Sequence, residues 1–234
     1  FEPLGALLEN LLWVLAAATL VVGNVMAVIQ ENIKRLLAYS SIAHAGYLLI
    51  GFVPGTAAGY SAVVFYLIAY LFMNLGAFGV VVALANRGQD CERISSFAGL
   101  AQGRPGLAAL MTLFMIALAG IPGTAGFTGK FLIFSAAVDA GHIWLAILGV
   151  LMSVVSVYYY LRVPVLMYMR DPGQETPRTE LGVGEIVVLV VCGLGVVYLG
   201  LFPDGDPIVA DARVLDWARH SVAALLDGAS TASR

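Results

Sequence analysis

The stretch AGIPGTAGFTGKFLIFSAAV, residues 119–138, holds one charge, Lys130, in an otherwise uncharged run interrupted by Gly120, Pro122, Gly123, Gly126 and Gly129. About 20 mostly apolar residues suffice to cross roughly 30 Å of hydrocarbon, so the run reads as a membrane element. A lone ionisable group beside glycines and a proline that open a helix is a common way to build an ion site near mid-bilayer. Glycine recurs at every third position from 120 to 129, and the stretch is expected to unwind around a polar cavity, where freed carbonyls meet water or side chains. A kink that only lets helices pack closely is the simpler alternative. Burial disfavours an ammonium and a nearby carboxylate favours it, so small movements of its neighbours would load or unload a proton at Lys130. Otherwise the side chain snorkels to an interface or pins the unwound carbonyls.

Composition agrees with a membrane setting. Hydrophobic residues make up 60% of the 234 and charged residues 12%, with a mean hydropathy of +0.91; a soluble domain carries about twice that charge. The net charge of −3 says little when most of the surface faces lipid or other helices, and no basic patch points to nucleic acid. Cys91 lies in a polar loop and Cys192 in an apolar run, so the two are read as separate structural thiols, with no metal-type Cys/His spacing. No nucleophile–base pair, phosphate-cradling loop, haem motif or iron–sulfur cysteine set is present, so no catalytic residue, metal or cofactor site is expected on the chain.

The hydropathy pattern predicts an all-α, polytopic transmembrane helix bundle with one discontinuous helix. Six runs qualify as spans, at about 7–29, 36–53, 57–85, 107–138 (broken at 120–129), 142–169 and 184–202, followed by a polar, partly amphipathic tail at 203–234. An unbroken helix over 107–138 would reach about 48 Å, too long for a straight crossing, and the break resolves that. Six crossings put eight Lys and Arg residues, from Lys34 to Arg178, at one end and only Arg213, Arg219 and Arg234 at the other. The first end is therefore expected to be cytoplasmic, with the C-terminus outside. In the tail, Ile208, Leu215, Val222 and Leu226 fall near one face, which suits a helix on the membrane surface or a cap on the bundle; residues 228–234 read as unstructured. The chain opens at Phe1 on an apolar run without the basic flank of a signal peptide, and is expected to be the later part of a longer polypeptide.

Polar residues recur at helical spacing on two spans. Ser40, His44, Tyr47 and Gly51, at i, i+4, i+7 and i+11, form one stripe that should face the bundle interior. His44 suits a proton relay near neutral pH, or a simple hydrogen bond to a neighbouring helix. Tyr66, Tyr70 and Asn74, at i, i+4 and i+8, offer a neutral lining that would hold water without holding charge. Lys34 and Arg35 stand where a span begins, as positive anchors; Lys34, with Ser41 two turns along, is also a candidate entry or lateral-coupling residue. Tyr158, Tyr159, Tyr160 and Arg162 are read as an interfacial aromatic belt.

Two motifs carry a family resemblance: ENIKRLLAYSSIAHAGYLLIG, residues 31–51, and GIPGTAGFTGKF, residues 120–131. Together they resemble the antiporter-like membrane subunits of the proton-pumping NADH:quinone oxidoreductase, respiratory complex I. Tyr66, Tyr70 and Asn74 in place of histidines and a lysine, and Lys130 in place of a glutamate, put the likeness nearest that family's N-type branch. The resemblance implies the second half of an inverted-repeat fold, helices nine to fourteen, with the exit half of a proton path: His44 as relay, Lys130 as terminal site and Lys34 as a further pathway residue. It implies indirect coupling, since a unit charge presented about 10 Å from Lys130 acts on it by roughly 1.7 kcal/mol at an effective dielectric of 20. It also implies NADH, FMN, iron–sulfur clusters and quinone held by partner subunits and none here, with subunits M, K, J and A and the lipid bilayer as partners, in a bacterial inner membrane. A subunit of a multisubunit cation/proton antiporter, or of a ferredoxin- or hydrogen-linked relative, shares these motifs. A scaffold without its own proton path is the remaining alternative.

Overall fold

In the computed structural model, residues 2–85, 92–171, 182–203 and 214–232 are described. They form helices α1 (Glu2–Val28), α2 (Ile33–Phe52), α3 (Ala57–Ala85), α4 (Leu100–Gly103), α5 (Pro105–Ala119), α6 (Ala125–Asp139), α7 (Ile143–Met169), α8 (Val183–Leu201) and α9 (Val214–Ala232), with a 3-10 turn at Ile94–Phe97. Local chemistry sets several ends. Asn32 caps α2, its side-chain oxygen accepting from the Arg35 amide at 3.1 Å, and Gly55 turns the chain beyond it at φ +62°. Pro105 opens α5, where a missing N–H is no loss, and Gly120 closes it in the left-handed region at φ +83°.

α1, α3, α7 and α8 are long and apolar enough to cross a membrane by length and composition. α2 has 20 residues but carries Lys34, Arg35 and His44. α5 and α6 have 15 residues each, about 22 Å apiece, so neither alone spans a hydrocarbon layer of about 30 Å whereas the pair together does.

The break between α5 and α6 covers residues 120–124, not 120–129. Gly120, Pro122 and Gly123 make it, whereas Gly126 and Gly129 lie inside α6 and serve close packing. A Cβ on Gly126 would stand 1.8 Å from the Ala117 carbonyl oxygen, and one on Gly129 would stand 2.2 Å from the Tyr66 ring. The two expectations for this stretch thus divide between its halves. On its other side, the Thr128 hydroxyl donates to the Gly200 carbonyl at 3.2 Å, and Gly200 lies so close to Thr124 that a Cβ would meet its carbonyl carbon at 2.4 Å.

α3 packs against α2, α5, α6, α8 and α9, and α1 against α2 and α7. Polarity is arranged opposite to that of a water-soluble domain. Asn24, Ser40, His44, Ser61, Thr124, Lys130 and Ser156 are buried, while Leu11, Val14, Val22, Val25, Val154, Val191 and Leu194 are exposed. That much outward apolar surface belongs against lipid or other helices. The tail differs from its expectation too: α9 runs to Ala232, past Gly228 where an unstructured end was expected, and it packs against α3 with Leu215, Ala218 and Val222 buried. Ile208, Arg213, Arg234, Arg87, Arg178 and Cys91 lie outside the described residues.

Gly126→Ala should lower the unfolding free energy of the membrane-embedded protein by about 1–3 kcal/mol, the usual range for overpacking. Gly5→Ala, which meets nothing within 4 Å, should not. Equal stability of the two variants in a denaturing-detergent titration would contradict the packing role of Gly126.

Candidate functional site

The site grows from the end of α5. The carbonyl of Leu118 would ordinarily accept from residue 122, but that residue is Pro122 and has no N–H. The chain also turns at Gly120, so the carbonyl of Ala119 has no further turn of helix to meet. Both carbonyls accept instead from Lys130 Nζ, at 3.1 and 3.0 Å, and the Ser153 hydroxyl accepts from it at 3.0 Å. The ammonium therefore uses all three of its donors on neutral oxygens. Its charge also sits 4.7 Å from the centre of the Tyr47 ring and at the negative end of the α5 dipole. The residue is only 3% exposed, and no carboxylate pairs with it among the described residues. Gly120 is required twice over: its φ is +83°, and a Cβ there would lie 3.0 Å from Lys130 Cδ.

A second polar group surrounds His44, which is buried on α2. Its Nδ1 lies 2.6 Å from the Tyr66 hydroxyl and its Nε2 lies 3.0 Å from the Tyr160 hydroxyl. A neutral imidazole donates through one nitrogen and accepts at the other, so the ring joins the two phenols in either tautomer. Tyr70 stacks obliquely on His44 at 4.8 Å between centroids and donates to Ser41 Oγ at 2.7 Å. The Ser40 and Ser41 hydroxyls donate to the Leu37 carbonyl. Tyr47 stands between the two groups: its ring is 5.8 Å from that of His44 and also faces Lys130. Its hydroxyl is buried beside Asn24, Ser153 and Ser156 without a well-formed hydrogen bond to any of them, a place where a bridging water is the usual remedy.

The sequence-predicted residues thus fall into three sets. Lys130, His44, Tyr47, Tyr66, Ser40, Ser41 and Tyr70 share one interior layer. Asn74 is half-buried further along α3 and makes no hydrogen bond among the described residues. Lys34 lies apart, exposed at the end of α2, where its Nζ donates to Glu92 Oε1 at 2.8 Å while the Asn32 amide donates to Oε2 at 2.9 Å. These two donors hold the Glu92 carboxyl below the usual carboxylate range. The aromatic belt is a correction: only Tyr158 is exposed, whereas Tyr159 and Tyr160 are fully buried. Tyr159 donates to Asn24 Oδ1 at 3.1 Å, and the Ser156 hydroxyl donates to the Ser153 carbonyl at 2.6 Å. Ser153, Ser156 and Tyr160, missed as site residues, sit at i, i+3 and i+7 on α7, a polar stripe of the kind already recognised on α2. No trio of His, Cys, Asp or Glu converges to hold a metal ion among the described residues.

The profile of the NADH:quinone oxidoreductase/Mrp antiporter transmembrane family matches residues 2–156. The chain belongs to this family. A curated member, NADH-quinone oxidoreductase subunit N of Trichlorobacter lovleyi, is 52% identical over 214 residues, covering 92% of this chain and 42% of that protein. Among solved structures, respiratory complex I from Thermus thermophilus with bound NADH contains a chain 31% identical, with a TM-score of 0.79 over 95% of this chain and 46% of that one. The Mrp complex from Dietzia sp. DQ12-45-1b gives a TM-score of 0.82 at 21% identity over 94% of this chain and 48% of its own, a likeness of fold. The chain spans less than half the length of the curated family members it matches.

Because the Glu92 carboxyl is held low, its tie to Lys34 and Asn32 is complete above the ordinary carboxylate pKa and is released as pH falls through the lowered value. The amides of Ile33 and Ile94, bonded to the carbonyls of Glu92 and Glu31, should therefore lose exchange protection only in that acid range, after correction for intrinsic rates. In Glu92→Gln the acid-dependent step should vanish. Identical pH profiles for the two proteins would exclude the tie.

Proposed function

We propose that this family member supplies the outlet half of a proton path in the membrane part of an NADH:quinone oxidoreductase, with Lys130 as terminal proton site and His44 as relay. The observation that carries this reading is the Lys130 ammonium held at a helix break by three neutral oxygens, with no counter-charge among the described residues. Such a charge is retained only weakly against an approaching positive charge. A unit charge about 10 Å away acts by roughly 1.7 kcal/mol at an effective dielectric of 20, more than a tenfold bias in proton occupancy. Proton delivery runs through His44, which accepts at one ring nitrogen and releases from the other between the Tyr66 and Tyr160 hydroxyls, and then past Tyr47, whose hydroxyl would carry water between the groups.

High identity to proteins named NADH-quinone oxidoreductase subunit N supports this assignment over cation/proton antiport. In this reading α1, α2, α3, the α5–α6 pair, α7 and α8 make six crossings. The end rich in Lys and Arg is cytoplasmic, and the C-terminus lies outside a bacterial inner membrane. In the same reading the redox centres lie elsewhere: NADH, FMN, iron–sulfur clusters and quinone belong to partner subunits, with M, K, J and A among the membrane neighbours. Lys34, outside the interior layer, would act at the cytoplasmic end, tethered by Glu92.

In the assembled complex in vesicles, Lys130→Ala should abolish this path's share of proton translocation and slow coupled quinone reduction, with assembly intact. Lys130→Arg should fail as well, because a guanidinium keeps the charge but does not release its proton. Undiminished pumping in Lys130→Ala would make the subunit a scaffold, and full pumping in Lys130→Arg would refute proton exchange at this position.

A further inference from the structure

At the Lys- and Arg-rich end lies a cavity of about 280 Å³ lined by Glu31, Arg93, Ile94, Ser95, Arg162 and Leu166, unused by the proton path. Its walls come from the α1–α2 turn, the 3-10 turn with Arg93 just before it, and α7. Backbone bonds fix them to one another: Ile33 N–H to the Glu92 carbonyl at 2.7 Å, Ile94 N–H to the Glu31 carbonyl at 2.9 Å and Gly99 N–H to the Leu166 carbonyl at 3.2 Å. Arg162 Nη2 donates to the Gln30 carbonyl, which anchors the guanidinium. Its Nε, however, is buried and has no acceptor among the described residues, a state that ordinarily carries a penalty unless something fills it. Neither Arg93 nor Arg162 pairs with a carboxylate among the described residues. The nearby carboxylate of Glu92 is committed to Lys34 and Asn32.

Two guanidiniums and the Ser95 hydroxyl around one cavity match the geometry of a phosphate group, which accepts from planar, forked donors. The single glutamate in the lining is outnumbered by the arginines. The source of the phosphate is indicated by the rest of α7. Val154 and Tyr158, eight and four residues before Arg162, lie on the same strip of the helix and are 65% and 63% exposed. Basic cavities between helices at a cytoplasmic membrane surface are suited to anionic headgroups, and here an exposed apolar strip runs away from the cavity along the same helix.

We propose that this cavity binds the phosphate of an anionic phospholipid through Arg93 and Arg162, with the acyl chains along the Val154 and Tyr158 strip of α7. The test uses the assembled complex carrying the full-length protein, in phosphatidylcholine vesicles doped with phosphatidylglycerol bearing an acyl-chain diazirine. After illumination, adducts are mapped by peptide mass spectrometry. Adducts should fall on the α7 peptide containing Val154 and Tyr158. Their yield should drop about fivefold in Arg93→Gln, the size expected for one arginine near an anionic surface, and should rise in Glu31→Gln. Both residues are exposed, so neither variant should disturb folding, unlike Arg162→Gln, for which Arg162→Lys is the conservative partner. A phosphatidylcholine analogue with the same diazirine should show no dependence on Arg93. Equal yields in wild type, Arg93→Gln and Glu31→Gln would reduce the lipid to bulk annulus and overturn the proposal. Absence of α7 adducts would overturn it as well. Loss of labelling in excess inorganic phosphate would assign the site to a soluble anion and overturn the lipid assignment.

Discussion

Two carbonyl oxygens, those of Leu118 and Ala119, organise the interior of this protein. They are left without backbone donors because α5 meets Pro122 and turns at Gly120, and in a low-dielectric setting such groups must find a partner or water. The partner is Lys130, which itself has no carboxylate to balance it among the described residues. Each therefore solves the other's problem, and neither the helix break nor the buried ammonium is stable by itself. Ser153 and the face of Tyr47 complete the shell, which draws α7 and α2 into the same arrangement.

Around this centre the bundle is polar inside and apolar outside, and its interior polar groups are nearly all hydroxyls, amides and one imidazole. Among the described residues no other lysine, arginine or carboxylate is buried, and the Lys34–Glu92 pair stands outside this interior at the start of α2. Neutral groups orient water and pass protons without trapping a charge permanently, as a strong ion pair would. In the proton path we propose, charge resides on Lys130 and moves through the tyrosines and His44.

Much of this was legible in the sequence, for identifiable reasons. Helical spacing placed Ser40, His44 and Tyr47 on one inward face because a polar stripe in an apolar run has few other solutions. Lys130 announced itself by isolation. What sequence could not resolve was the difference between a glycine that unwinds a helix and one that admits a neighbour. Gly123 and Gly126 look alike in composition, yet one breaks the chain and the other is pressed against Ala117. The same limit applied to Tyr159 and Tyr160, whose type suits an interface and whose register puts them inside; the serines before Tyr160 on α7 were the available clue. The tie between Lys34 and Glu92 joins residues 58 apart in sequence, a separation that no local pattern reports.

The break is held on both flanks, by the Tyr66 ring fitted against Gly129 on one side and by Gly200 against Thr124 and Thr128 on the other. A segment clamped this way acts as a rigid mount: widening it would mean prying α3 and α8 apart, a collective displacement on the microsecond-to-millisecond scale. The long stem of Lys130 has its own freedom, and single side-chain hops take picoseconds to nanoseconds. In the proposed path, proton release at Lys130 is therefore the swing of one flexible arm within a stiff frame, and the slow step belongs to whatever brings a second charge nearby.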